Sequence, residues 1–261
     1  MTPHLDSPIP PTADPLTEAL QFLRMEGIFY CRSELTAPWS LGLPPMPDCV
    51  WFHVVTAGSC VLIDSRGGRH EVRRGDLVIL PHGAGHSATD DPDLDPAPVM
   101  DLPHEYLSPS YAILRHGGGG GRVDLICGAV RLAHPAARNL IEVLPEVIHV
   151  DPSTGRRALE WLPSVLGMIA AETAEPQPGS EAVVTRLCDI LVISAIRSWL
   201  DTDPAAKTGW LGALQDPQIG RAVALIHREP QREWTVADLA ATVAMSRSAF
   251  SARFSELVGE G

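Results

Sequence analysis

Apolar residues in the first half of the chain come in short runs separated by turn residues. Ile28–Trp39, Val50–Val55, Cys60–Ser65, His70–Arg73 and Leu77–Leu80 read as strands, with Gly67-Gly68 turning the chain between two of them. Strands this short and this closely spaced predict a sandwich or barrel. The pattern resumes at Val123–Leu132 (VDLICGAVRL), followed by His134 and a helix-like Ala136–Leu144. Ahead of the strands, Pro3, Pro8, Pro10 and Pro11 exclude regular structure from residues 1–13. Asp14 with Pro15 then opens a helix whose apolar face is Leu16, Ala19, Leu20 and Leu23, ending near Gly27. Asp90–Gly121 is rich in Asp and Pro and ends in Gly117–Gly121, so a flexible loop is expected there.

From residue 151 onwards the period changes to that of helices. Arg156–Ala174 and Ser180–Leu200 are separated by Pro176-Gln177-Pro178-Gly179. The second is apolar on most sides, through Val183, Val184, Leu187, Cys188, Ile190, Leu191, Ile193, Ala195, Ile196 and Leu200. Such a helix needs cover on several faces. Either its partner helix and the same pair from a second copy supply it, an isologous dimer contact, or the β-domain of its own chain does. Residues 201–215 form a linker, and Asp216-Pro217 opens a helix over Gln218–Arg228.

Two short helices close the chain. Thr235 is a good N-cap for a helix with Val236, Leu239, Ala240 and Val243 on its buried side. After the break at Ala244-Met245, Ser246 caps a second helix with Phe250, Phe254 and Leu257 or Val258 inward. Helices so close in sequence must cross, which is helix-turn-helix geometry. The outward face of the second carries Arg247, Ser248, Ser251 and Ala252, with Arg253 at its edge. Arginines suit phosphates and small polar residues can approach base edges, so these five are the candidate DNA-binding residues.

Composition tempers this. The chain has 261 residues, long enough for two domains, with Lys+Arg 20 against Asp+Glu 32 and a net charge of −12. That opposes non-specific nucleic-acid binding by the whole surface, so any DNA contact must be local. Five cysteines, Cys31, Cys49, Cys60, Cys127 and Cys188, are scattered without a CxxC, which argues for a reducing cytoplasm over a disulfide scaffold. No N-terminal run fits a signal peptide and no charge-free run is long enough for a membrane span, so no membrane partner is expected.

Gly75 to His86, GDLVILPHGAGH, has the spacing G-x5-P-x-G-x2-H. It resembles the second conserved motif of cupins, the small jelly-roll barrels, at every fixed position. The first cupin motif is not intact: where an HxH and a Glu would bind metal, only Trp51 and His53 stand, two apart and so on one face of a strand. His53 and His86 would supply two ligands for zinc or iron, and Cys127, Cys31 or His82 would have to complete the set. The alternative is that Trp51, His53 and His86 line an effector pocket or hydrogen-bond in the core.

At the other end, Trp234-Thr235-Val236, Leu239-Ala240, Met245-Ser246-Arg247-Ser248, Phe250, Arg253-Phe254 and Val258-Gly259 resemble the first helix-turn-helix of the AraC/XylS family of bacterial transcription regulators. Ala37–Leu41 (APWSL), FHVV with Gly58, the Gly75–His86 block and Cys127-Gly128 resemble one subfamily whose N-terminal domain is a degenerate cupin. The resemblance thus spans nearly the whole chain. It has two departures: Ala244 stands where the family has Gly, and family members continue into a second helix-turn-helix, whereas this chain stops at Gly261. Half a reader is expected, either truncated or weak in DNA binding.

The resemblance implies an α+β fold divided into a disordered arm (1–13), a cupin-like β-barrel or jelly-roll sensor (14–150, with 90–121 a flexible loop), a helical dimerisation hairpin (151–200), a linker (201–215) and a partial all-α helix-turn-helix segment (216–261). It implies a cytoplasmic, homodimeric, signal-responsive regulator whose effector is a small molecule, an oxidant or a metal. Some members of the subfamily respond to oxidants through cysteines placed like Cys31 and Cys127, and Arg32 beside Cys31 would lower its pKa. Two other functions compete. A cupin enzyme needs an intact His and Glu metal set, which Trp51 and Val55 do not supply. A truncated dimerisation module that sequesters full-length partners would not shift DNA alone.

Overall fold

The computed structural model describes residues 25–132, 141–142, 144–151, 161–175, 177–207, 212–213, 216–229 and 231–258. The expected arm at 1–13, the helix face from Leu16 to Leu23, and His134 with most of the helix-like segment after it lie outside these. The chain forms two compact units, divided between Thr202 and Asp203. The hairpin read as a separate module therefore belongs with the β-domain.

The larger unit begins with twelve strands: β1 (Met25–Thr36), β2 (Ser40–Leu43), β3 (Cys49–Ala57), β4 (Ser59–Ile63), β5 (Arg69–Arg73), β6 (Leu77–Leu80), β7 (His86–Thr89), β8 (Ala97–Pro98), β9 (His104–Ser108), β10 (Tyr111–Gly117), β11 (Arg122–Leu132) and β12 (Ile148–Val150). They form a seven-stranded sheet, β12-β6-β3-β11-β1-β10-β9, and a five-stranded sheet, β5-β4-β7-β2-β8. The two sheets face each other over one core without closing into a barrel, so the closed jelly roll expected from the sequence is corrected to an open two-layer sandwich. Met25 to Gly27, expected to end a helix, are the start of β1, where they pair with β11.

Strand β3 is buried along seven consecutive residues because both faces of its sheet are covered. Trp51 and Val55 point into the sandwich core with Leu35, Leu62, Leu80 and Leu125. The alternate residues Val50, Phe52 and Val54, also fully buried, belong to the opposite face. Helix α2 (Ser180–Thr202) covers that face, packing across β1, β6 and β12, and α1 (Leu162–Ala174) packs on α2. Tyr30 on β1 donates its hydroxyl to Thr185 of α2 at 3.2 Å. Gly128 permits this double layer, since a Cβ there would lie 2.4 Å from the Phe52 ring and 3.0 Å from Tyr30.

Asp90–Gly121 is ordered, contrary to the expected flexible loop. Its Pro-rich part supplies β8 and β9, both at sheet edges, where a proline's missing N–H is no loss. Tyr111–Leu114 is a buried stretch of β10 running parallel to β1, and the glycine run is the turn into β11. Helix α2 is not covered all round either. Val184, Leu187, Cys188, Leu191, Val192, Ala195 and Ile196 are buried, while Val183, Arg186, Ile190 and Arg197 face outwards.

The smaller unit contains α3 (Ile219–Arg228), α4 (Val236–Thr242) and α5 (Arg247–Val258), each in contact with the other two. Ile219, Ala222, Val223, Leu239, Ala240, Val243 and Phe250 make its core. Thr235 caps α4 as expected, in a reciprocal capping box with Asp238.

Candidate functional site

The interior site is assembled by register. Cys31 of β1 pairs with Cys127 of β11, Cys127 with His53 of β3, and His53 with Val78 of β6. Directly opposed residues share a face of the sheet, so this row of two thiols and an imidazole crosses the core side of the large sheet. His86 opens β7 in the facing sheet. It is brought inwards by the corner after β6, where Gly83 has φ +61° and its α-carbon is so close to the Met46 and Cys49 carbonyls that no Cβ fits.

There the two imidazoles meet, His53 Nε2 and His86 Nε2 being 2.7 Å apart. His86 Nδ1 lies 3.0 Å from the Ala84 carbonyl, which requires a donor. His86 therefore accepts at Nε2 from the Nε2–H of His53, a tautomer assigned by the network. Trp51 stacks on His53 at 6.1 Å between ring centroids and meets His86 edge-on at 5.5 Å. Trp51, His53 and His86 are thus one cluster. Among the described residues, His53 Nδ1 and Trp51 Nε1 are buried without a hydrogen-bond partner.

Burial sets the electrostatics. It pushes the His86 pKa down to about 4, against the pull of the Ala84 carbonyl, and holds His53 well below the usual histidine value with help from His86. A metal does not fit. Two nitrogens on one tetrahedral zinc are roughly 3.3 Å apart, given Zn–N bonds of about 2.0–2.1 Å. Among the described residues no group of three His, Cys, Asp or Glu side chains is placed to hold an ion. Of the two arrangements open to His53 and His86, a shared zinc or iron or a histidine pair in the interior, the geometry forms the directly hydrogen-bonded pair.

The thiols are also buried. Burial raises the pKa of Cys31, partly offset by Ser33 and the Leu114 backbone, and raises Cys127 well above the usual thiol value, with Cys31 and Cys60 adding to it. The expected lowering by Arg32 does not occur. Successive strand residues point to opposite faces, and Arg32 pairs with Glu34 at 2.8 Å on the other side. Cys60, with its pKa pushed to about 12 by burial, is a further interior thiol that the sequence reading passed over, because its strand lies in the facing sheet. An open cavity of about 370 Å³ lies on the surface between β1, β10 and β11, lined by Glu34, Thr36, Arg115, His116 and Arg122. Its arginines are already paired with Glu34, Glu105 and Asp124.

In the smaller unit, the break between α4 and α5 is made by Ala244 at φ +57°. A Cβ in that region costs about 1–2 kcal/mol, so Ala244 holds a conformation that glycine would adopt without strain. Ser246 Oγ accepts from Ala249 N–H at 3.2 Å and caps α5. Arg247, Ser248, Ser251, Ala252 and Arg253 are all exposed, but Arg253 is engaged, donating to Asp216 at 3.1 Å and Glu256 at 2.8 Å.

An open two-layer sandwich is joined in one chain to a separate pair of capped helices. A family model described as a cupin matches residues 14–201. Proteins of Streptomyces antibioticus and Streptomyces lividans described as AraC-like transcription regulators are 32% and 30% identical over 250 residues, 95% of this chain and 80% of each relative. The chain belongs to the AraC-like transcription regulators that carry a cupin domain, and it is not an enzyme. The transcriptional regulator AlkR of Acinetobacter baylyi is 27% identical over 82% of this chain and 70% of its own. Among solved structures, ToxT from Vibrio cholerae O395 superposes at TM-score 0.36 and 10% identity over 91% of this chain and 75% of its own, too loosely to bear on function. Among the described residues no helix is long and apolar enough to cross a membrane.

Proposed function

We propose that this regulator reads operator DNA with α5, pairs with a second copy through the α1–α2 hairpin, and is switched by an effector held at Trp51, His53 and His86. The observation that carries the DNA reading is the presentation of Arg247, Ser248, Ser251 and Ala252, exposed together on the second of two capped helices joined by a tight turn. A helix offered this way suits the major groove, with one cation for a phosphate and small side chains for base edges. Duplexes selected from a random pool by the full chain are the test. Arg247→Ala should weaken their binding and reduce the slope of log affinity against log salt by about 0.9, the value for one phosphate contact. An unchanged slope removes Arg247 from the interface.

Pairing is supported by Met168, Val183 and Ile190, large apolar residues exposed on α1 and α2. Val183 and Ile190 are seven apart and so share one face of α2. A second copy would cover them isologously, and two readers would then meet two half-sites a helical turn apart. Ile190→Glu should convert a dimer to a monomer in sedimentation equilibrium, with unchanged far-UV circular dichroism. A dimer that survives the change places the contact elsewhere.

For the effector, the unpartnered His53 Nδ1 and Trp51 Nε1 favour a small polar molecule that accepts from the indole and donates to the imidazole. One observation favours an oxidant instead: Cys31 and Cys127 stand directly opposite each other on neighbouring strands. Hydrogen peroxide would take two electrons and two protons from the pair, giving a disulfide and two waters. Their raised pKa values make this slow, since the thiolate is the nucleophile. Peptide mapping after peroxide treatment should show a Cys31–Cys127 crosslink that is absent in Cys31→Ser. Sulfenic acid or no change at both residues rejects the pair as sensor.

A further inference from the structure

The few residues that open α3 grip both sides of the turn between α4 and α5. Asp216 Oδ1 accepts the N–H groups of Gln218 at 3.0 Å and Ile219 at 2.9 Å, capping α3. Its other oxygen, Oδ2, accepts from Arg253 Nε at 3.1 Å, across 37 residues of sequence. Gln218 Nε2 donates to the carbonyl of Val243 at 3.0 Å, at the last position before Ala244. One segment thus holds the end of α4 through Gln218 and the middle of α5 through Arg253.

We propose that Arg253 is a positioning residue, which sets α5 against α3 through Asp216 and does not itself contact DNA. This rests on the reading of α5 as the DNA-reading helix. Arg253 faces two carboxylates, Asp216 and Glu256, whose charge repels a phosphate approaching the same guanidinium. Surface ion pairs are usually weak, but the Asp216 side chain is only 14% exposed and already fixed by two backbone donors. Burial raises the Asp216 pKa, yet the Ile219 and Gln218 N–H groups and Arg253 outweigh it and hold the carboxyl below its usual range. The aspartate is therefore charged and aimed, so the arginine has one position to occupy. Arg247 is left as the cation of the presented face.

The test uses the full chain with Arg253→Gln, Arg253→Lys, Asp216→Asn and Arg247→Gln. Asparagine keeps an oxygen for the α3 cap. Binding to a short duplex of arbitrary sequence should lose about 0.9 of salt slope in Arg247→Gln and none in Arg253→Gln or Asp216→Asn. Preference for a selected duplex over the arbitrary one should fall about tenfold in Arg253→Gln, as when one base contact is misplaced, and recover in Arg253→Lys. Amide exchange along α5 should speed up about fivefold in Arg253→Gln and in Asp216→Asn, and no further in the double variant. A loss of salt slope in Arg253→Gln with unchanged exchange would overturn the proposal and make Arg253 a phosphate contact. If even the wild-type chain binds neither duplex, the DNA reading fails. Exchange then decides the clamp alone, and additive effects of the two variants reject it.

Discussion

Acidification from pH 7 to pH 4 should cost this protein about 3 kcal/mol through His86 alone, somewhat less than 2.5 pH units at about 1.4 kcal/mol each because the folded imidazole is only half protonated at pH 4. His86 has its pKa lowered to about 4 in the folded chain by burial, and unfolding restores it to about 6.5. Between those values the unfolded state binds more protons than the folded one, so stability rises with pH. The contribution is complete above pH 6.5 and disappears as pH falls through the window down to about 4. His53, lowered by burial and by its neighbour, extends the loss in the same direction. Carboxylates also titrate near the lower end, so the informative quantity is a difference. Urea midpoints measured from pH 7 to pH 4 should fall more steeply in the wild type than in the His53→Gln, His86→Gln double variant. Parallel curves would mean that the imidazole pair is protonated without penalty, and that it is not buried as described.

Phe52→Ala should be among the most damaging single changes in the β-domain, at about 3–5 kcal/mol. The ring is fully buried, lies 6.3 Å from that of Tyr30 between centroids, and belongs to the layer between the large sheet and α2. Removing it leaves a cavity that two sheet strands and a helix cannot close together, because their backbone hydrogen bonds fix the spacing. The same contact gives a second, sharper readout. Gly128→Ala sets a methyl 2.4 Å from the Phe52 ring, an overpacking cost of about 1–3 kcal/mol. In a Phe52→Leu background that methyl has room, so the double variant should be more stable than the sum of the singles predicts. Strict additivity in urea unfolding would show that residue 52 does not pack over residue 128.

The two histidines mark where strand period ends and tertiary packing begins to decide the site. That His53 shares a strand face with Trp51, and that the Gly75–His86 spacing carries His86 inwards, follow from the period of a strand and from a Pro/Gly corner. That the rings meet directly at hydrogen-bonding distance does not follow. It depends on how two sheets from distant parts of the chain lie over each other. Arg32 and Cys31 show the opposite error: adjacency in sequence suggested an interaction that alternation along a strand forbids. Asp90–Gly121 misled through composition, since Asp, Pro and Gly mark edge strands and turns as well as loops, and Tyr111–Leu114 is short enough to be overlooked among them.

Local chemistry is what the sequence by itself determined. Its turns, the Thr235 and Ser246 caps, the strand and helix periods and the closing pair of short helices all depend on residues within a few positions of one another. Tertiary structure alone decided which of these features act together: the open sandwich, the Cys31–Cys127–His53 row, the cover of α2 on the sheet and the hold of Asp216 on Arg253. Each joins residues far apart in the chain, through registers and close approaches that are set when apolar faces leave water and choose their partners. No single segment contains the information to specify that choice.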